Sequence, residues 1–376
     1  MEAYLDNAAT TKPGKEVIER ICTSLETIYG NPNSLHKVGR LAEDEVNEAR
    51  RIIGESINAS KEEIIFTASA SEGNNQVIRS FIKEGAHFIT TKIEHPSVLR
   101  TMEYAEKHGV RVSYLAVDSE GRIDLEEFRS LLGKTTTLVS IMMVNNEIGS
   151  VNPVEEMGSI LKEGGYRARF HVDAVQGYLK LPIDVKKMNI DFLTTSAHKV
   201  HGPKGVGFLY VRKGLKPESL IIGGGQEQSM RAGTVNVPAI LGFSETVKIM
   251  APRRAEHYDR ILALKKTFLE DILKVPDVRV NSPQENGSPY VVNLSAPFLR
   301  AEVLLHYLSE KGVYVSTGSA CSSKNTRDSH VLIALGLKDA EIKGSIRITF
   351  SAFTTQEEIA YALDVLKEAF AFLRRR

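Results

Sequence analysis

No tryptophan occurs in these 376 residues, and cysteine occurs only twice, as Cys22 and Cys321. Two such distant cysteines make no disulfide framework and show no metal-ligand spacing, so no metal is expected. Nor is there a surplus of one charge: 48 Lys and Arg stand against 47 Asp and Glu. That balance gives no ground for a nucleic acid or an anionic membrane as the main partner. No apolar run approaches the roughly 18 to 20 residues of a membrane span. The opening MEAYLDNAATT has no apolar signal region, which predicts a cytoplasmic protein with reduced thiols. Internal repeats and low-complexity linkers are missing too. The remaining composition, 42% hydrophobic and 25% charged, is that of a globular chain with room for a large core and two domains.

What is present is an alternation. IIFT (64–67), HFITT (87–91), RVSYLAV (111–117), LVSIMMV (138–144), RFHV (169–172), FLTTS (192–196) and GVGFLYV (205–211) are short apolar runs separated by helix-like stretches. LVSIMMV is continuous, as in a strand covered on both faces. Pro96 suits a first helical position, and Leu125, Phe128, Leu131 and Leu132 are spaced for one buried helix face. This pattern predicts an α/β fold, with a mainly parallel seven-stranded sheet covered by helices. Beyond about residue 250 come a long charged helix (253–274), strands at VRVNS, YVVNLS, VYVS and SIRITF, and further helices. That texture predicts a smaller α+β domain.

Open α/β sheets bind ligands at the carboxyl ends of their strands. Five exits carry small, polar or ionisable groups: ASASEG (68–73), KIEH (92–95), NNEIG (145–149), DAVQ (173–176) and AHK (197–199). They are expected to converge on one crevice. Ser69 with Glu72 fits a helix capping box, and the same helix end suits a phosphate. Ser196 and His198 would add hydroxyl and imidazole donors to that anion. Asp173 reads either as a cap or turn former or as a buried carboxylate facing a cation that offsets its desolvation. Lys199 reads either as an exposed lysine or as an amine that forms a Schiff base with an aldehyde. A phosphate-holding helix end, an acid for a ring nitrogen and a Schiff-base lysine are the parts that pyridoxal phosphate requires. Together they favour a pyridoxal phosphate enzyme.

Longer motifs extend this reading: YLDNAATT (4–11), YGNPNSLH (29–36), EHPSVL (94–99), VNNEIG (144–149), HVDAVQ (171–176), SAHKVHGPKG (196–205), RAGTVNVP (231–238), STGSACSS (316–323) and SIRITF (345–350). In these the chain closely resembles the cysteine desulfurases, pyridoxal phosphate enzymes of the aspartate-aminotransferase fold class. The long segment around Cys321 is similar to that of the class serving iron–sulfur cluster assembly and tRNA thiolation. The resemblance implies a large domain over 13–255 that binds pyridoxal 5′-phosphate. It assigns 1–12 with 256–376 to a small domain carrying a catalytic cysteine loop. Lys199 matches the lysine bonded to the cofactor, and Asp173 the partner of the pyridine nitrogen. Gln176 and Asn146 match groups near the ring's phenolic oxygen, and His95 the imidazole stacked on the ring and a proton carrier. Ala70, Ser71, Ser196 and His198 match the phosphate cradle. Thr234 matches the residue that reaches the phosphate from the other subunit of a homodimer. Arg347 matches the arginine that pairs with the substrate carboxylate, a role for a planar bidentate donor; Asn31 and Asn146 border the substrate. Cys321 is implied as the nucleophile that takes sulfur from L-cysteine, leaving L-alanine and a persulfide for an acceptor protein.

Some positions depart from that family. ASASEG stands where glycine-alanine-threonine-glutamate is more usual, although Ser71 still offers a hydroxyl. Gln228 and Ser229 stand where arginine-glycine is common. Cys321 lies in STGSACSSKN, a loop-like stretch without apolar periodicity. Cys22 sits among Val17, Ile18, Ile21, Leu25 and Ile28 at helical spacing and is expected to fill core space.

Overall fold

Short β-branched and aromatic runs make the strands, and amphipathic stretches between them make the helices. The computed structural model describes residues 1–317 and 328–374. Strand β1 (Ala3–Tyr4) precedes two helices, α1 (Lys15–Thr27) and α2 (Lys37–Glu55). The alternating region follows as β2 (Ile64–Thr67), α3 (Ala70–Ser80), β3 (His87–Thr91), α4 (Pro96–Glu106), β4 (Arg111–Leu115), α5 (Leu125–Leu131), β5 (Thr136–Met142) and α6 (Val154–Glu163). It closes with β6 (Arg169–Asp173), β7 (Phe192–Ser196) and β8 (Gly207–Val211). In space the order is β2-β8-β7-β6-β5-β3-β4. Only β8 runs antiparallel to its neighbours. The seven-stranded, mainly parallel sheet expected from the alternation is present.

Every residue of β3, β7 and β8 is buried, as in strands covered on both faces. Because β3 lies between β4 and β5, the chain winds away from it in both directions. The crevice at such a switch point is where open sheets hold ligands. Helix α3 leaves the edge strand β2 yet lies against β7 and β8. Gly73 permits that seat, since a Cβ there would meet Thr194 Cγ2 at 2.7 Å.

Helix α7 (Val237–Met250) belongs to the core under the main sheet, and α8 (Arg254–Ile272) to a second core. Then come β9 (Arg279–Val280), β10 (Val291–Ser295), α9 (Ala301–Glu310), β11 (Val313–Tyr314), α10 (His330–Ala334), α11 (Asp339–Lys343), β12 (Ser345–Thr349) and α12 (Gln356–Leu373). Strands β12-β10-β9 form an antiparallel sheet, while β11 pairs in parallel with β1. Ala3 and Leu5 therefore share the second core with Phe268, Ile348 and Phe370. A few residues further on, Thr11 Oγ1 donates to the His198 carbonyl at 2.9 Å, so this short segment fastens the two regions together.

Cys22 corrects the sequence expectation: its side chain is exposed. Helix α1 carries two adjacent apolar stripes, and only one faces inward. Val17, Ile21 and Ile28 turn toward α7, where Gly242 lets Ile21 approach closely; a Cβ on that glycine would lie 2.6 Å from Ile21 Cγ1. The other stripe, Ile18, Cys22, Leu25 and Tyr29, faces outward, with Leu25 61% and Tyr29 75% exposed.

Candidate active site

Five strand exits meet at a cleft with about 660 Å³ of empty space. Ser69, Ala70 and Ser71 reach it from β2, His95 from β3 and Asn146 from β5. Asp173 and Gln176 reach it from β6, and Ser196, His198 and Lys199 from β7.

One end suits an anion. Ser69 caps α3 by accepting from Glu72 N at 3.3 Å, but the reciprocal half of the expected box is displaced by one residue. The Glu72 carboxylate accepts from Ala68 N at 2.8 Å instead of from Ser69 N. The first-turn N–H groups of Ala70 and Ser71 are donors the helix cannot use itself, and with the helix dipole they suit a phosphate. His198 is held through Nδ1, 3.2 Å from Thr10 Oγ1. Burial, with help from Lys199 and Lys204, pushes its pKa down to about 4, so it is a neutral imidazole at physiological pH.

The other end suits a cation and an aldehyde. Asp173 is buried; Oδ1 accepts from Val175 N at 3.1 Å and Oδ2 from Asn74 Nδ2 at 2.9 Å. A protonated ring nitrogen is the partner that offsets its desolvation. Lys199 Nζ donates to the carbonyls of Ala8 and Ala9, each at 2.7 Å. Gln176 Nε2 donates to the same Ala8 carbonyl at 3.1 Å, while its Oε1 accepts from Lys180 Nζ at 3.0 Å. Burial, with Lys199 and Arg347 nearby, lowers the Lys180 pKa to about 7. His95 caps α4: its Nδ1 accepts from Ser97 N at 3.1 Å and lies 2.8 Å from Ser97 Oγ. Burial holds the His95 pKa below the ordinary imidazole value; Asp173 opposes this, and Lys199 and His330 add to it.

Arg347 lies on β12, outside the lining set, yet is joined to it. Nη1 donates to the Asn146 carbonyl at 2.9 Å and Nη2 to Asp6 Oδ1 at 2.9 Å. Burial raises the Asp6 pKa and Arg347 opposes that rise. Two expected residues are elsewhere. Thr234 and Asn31 are exposed and do not line the cleft of this chain. Cys321 lies outside the described residues.

The structure adds Ala8, Ser97, Asn74 and Asp6 to the residues singled out from sequence. Ser97 was legible as the second residue after His95, where a capping side chain reaches. Asn74 follows Ala70 by one helical turn and so shares its face. The carbonyls of Ala8 and Ala9 carry no side-chain signal at all.

An anion cradle, a buried carboxylate and a primary amine in one cleft fit pyridoxal phosphate. Fold and cleft together define a pyridoxal phosphate enzyme of the aspartate-aminotransferase fold class. The family model for class-V aminotransferases matches residues 3–361, and the chain belongs to that family. It is 42% identical to the cysteine desulfurase IscS of Dictyoglomus turgidum, over 99% of this chain and 95% of the relative. A solved NifS-like protein superimposes with a TM-score of 0.93 at 38% identity, covering 99% of this chain and all of the other. A solved protein called SspA, in complex with cysteine, gives a TM-score of 0.82 at 34% identity over 94% of this chain and all of the other.

Proposed function

We propose that this chain is a cysteine desulfurase of the iron–sulfur cluster assembly type, which converts L-cysteine to L-alanine and passes the sulfur on as an enzyme persulfide. The observation that carries the reading is the single cleft in which Lys199, Asp173 and the α3 amino end meet. Bound pyridoxal phosphate supplies an electron sink for the pair left at the substrate Cα. The protein supplies the rest. Ala70, Ser71, Ser196 and His198 would hold the phosphate, Asp173 would keep the ring nitrogen protonated, and Gln176 would address the phenolic oxygen. Lys199 would hold the cofactor, and its amine would move the proton at Cα. Arg347 and Asn146 orient the substrate carboxylate, and Asn31, outside the cleft of its own chain, would border the substrate only from a second copy.

Cys321 is the sulfur acceptor. Its thiolate attacks the substrate sulfur; an S–S bond forms, the Cβ–S bond breaks, and Cβ gains a proton on the way to alanine. Atoms balance as cysteine plus enzyme thiol giving alanine plus enzyme persulfide. A free thiol titrates near pH 8.5, so a proton carrier is required, and His95 is our candidate for it. The persulfide then passes to a thiol of an acceptor protein that serves cluster assembly or tRNA thiolation. The exposed stripe of α1 and the exposed Thr234 fit a second copy of the chain that completes the phosphate cradle.

Intact-protein mass spectrometry after L-cysteine tests this. One added sulfur, removed by reductant and mapping to Cys321, should appear together with alanine. Cys321→Ala should lose both by orders of magnitude while still binding cofactor at Lys199. Sulfur on the exposed Cys22, or near-normal desulfuration by Cys321→Ala, would overturn the reading.

A further inference from the structure

Asn74 is not among the residues that line the cleft, yet it is fully buried and both polar atoms of its amide are hydrogen-bonded. Its Nδ2 donates to Asp173 Oδ2 and to Ser97 Oγ, both at 2.9 Å. Its Oδ1 accepts from Thr194 Oγ1. The close seat of α3 on β7, allowed by Gly73, brings Asn74 against Thr194.

These bonds have directions that follow from chemistry alone. An ionised carboxylate accepts and never donates, so the Asn74 atom facing Asp173 must be nitrogen. That fixes the orientation of the amide without reference to hydrogen positions. The second Nδ2 proton then enters Ser97 Oγ. The Ser97 hydroxyl proton goes in turn to its remaining neighbour, His95 Nδ1, at 2.8 Å. The Ser97 backbone N–H points at the same nitrogen from 3.1 Å. With two donors aimed at it, Nδ1 carries no proton. With Nδ1 occupied as an acceptor, the ring carries its proton on Nε2.

We propose that Asn74 is a positioning residue: it fixes the Asp173 carboxylate and, through Ser97, locks His95 as the Nε2–H tautomer. The inference rests on the reading of His95 and Asp173 as cofactor-facing residues, and it gives His95 a direction. In its resting form the imidazole offers a proton at Nε2 and cannot take one at Nδ1. His95 therefore presents a hydrogen-bond donor at Nε2, and it acts as a proton carrier only when Ser97 releases Nδ1 to accept a proton. Four elements are tied by one amide: α3 through Asn74, the end of β6 through Asp173, β7 through Thr194, and the start of α4 through Ser97.

The test is nitrogen-15 NMR of the full-length protein with labelled histidine, with and without cofactor. The His95 signals are assigned by their loss in His95→Gln. At neutral pH Nδ1 should give an unprotonated-type shift and Nε2 a protonated-type shift; a proton on Nδ1 overturns the proposal without any assay of activity. In Asn74→Ala and in Ser97→Ala the two shifts should move toward each other, and the double variant should move no further than either single one. In the loaded enzyme Asn74→Ala should lower kcat at least about tenfold, since a positioned proton donor contributes on the order of 10²–10⁴. KM for L-cysteine should be unchanged. Wild-type His95 shifts in Asn74→Ala overturn the relay. If Asn74→Ala fails to fold, Ser97→Ala breaks the same chain at its other joint. Because the shifts are read without turnover, an enzyme that proved not to be a desulfurase would leave this result standing.

Discussion

Glu94, the residue before His95, is fully buried behind the cleft. Its Oε1 accepts from Thr91 Oγ1 at 2.8 Å and from Met142 N at 3.0 Å, while Oε2 has no hydrogen-bond partner among the described residues. Burial first, and the Asp173 charge second, push its pKa from 4.5 up to about 8. The folded protein thus holds a proton between those values that the unfolded chain releases. Where the native state binds more protons, stability falls as pH rises, so this site weakens the fold progressively up to about pH 8. A glutamine keeps the accepting oxygen and cannot ionise. Glu94→Gln should match the wild type only below about pH 4 and exceed it increasingly toward about pH 8, with a limiting slope of about 1.4 kcal/mol per pH unit. Urea unfolding at several pH values measures the gap, and a gap that does not grow with pH would refute the buried neutral acid. Nothing in the residue type announces this: EH in a sequence reads as two charged polar groups, and only the depth of the β3 exit makes one of them neutral.

Between β8 and α7 the chain makes a turn that a sequence comparison can flag but not explain. Glu227, Gln228 and Ser229 are all left-handed, with φ of 47°, 56° and 62°. The turn is held by Glu227, whose carboxylate takes both terminal nitrogens of Arg50, at 2.7 and 2.8 Å, and the Phe66 N–H at 2.7 Å. The family pattern has glycine where Ser229 stands, and the backbone gives the reason, since left-handed geometry costs a side-chain-bearing residue about 1–2 kcal/mol. Ser229 is exposed, so its side chain contributes no core packing. Ser229→Gly should stabilise the protein by about 0.5–1 kcal/mol after allowing for the freer unfolded chain. Thermal and urea unfolding would show it, and a loss of stability would mean that the serine contacts outweigh the strain. The strands of the main sheet, in contrast, were legible: IIFT, HFITT and FLTTS are short, apolar and bounded by turn residues. The antiparallel course of β8 was not, because GFLYV carries the same apolar signal in either direction. Cys22 was misplaced for a related reason, since two adjacent apolar stripes on α1 look like one broad face.

At the scale of the molecule, the outward stripe of α1 leaves apolar side chains in solvent, and Leu35 and Ile222 are 91% and 90% exposed elsewhere. Thr234 and Asn31 remain outside the cleft of their own chain. A two-fold pair in which each chain lends Thr234 to its partner accounts for both facts. Mixing Lys199→Ala with Thr234→Ala chains puts the idea at risk. Trans action leaves one intact site in each hybrid, so an equal mixture should recover about a quarter of wild-type activity; hybrids with no intact site, or a fully active monomer in sedimentation, would reject it. The segment from Asp6 to Thr11 carries a different consequence. Ala8 and Ala9 wait for Lys199, 191 and 190 positions away, and Asp6 waits for Arg347, 341 positions away. At a synthesis rate of about 5–20 residues per second, that last partner emerges from the ribosome roughly 20 to 70 seconds after Asp6. During that interval the main sheet and the cleft lining, the latter all within residues 8–199, can assemble, but the Asp6–Arg347 pair cannot. Asp6, among the earliest residues to be made, is among the last to find its partner.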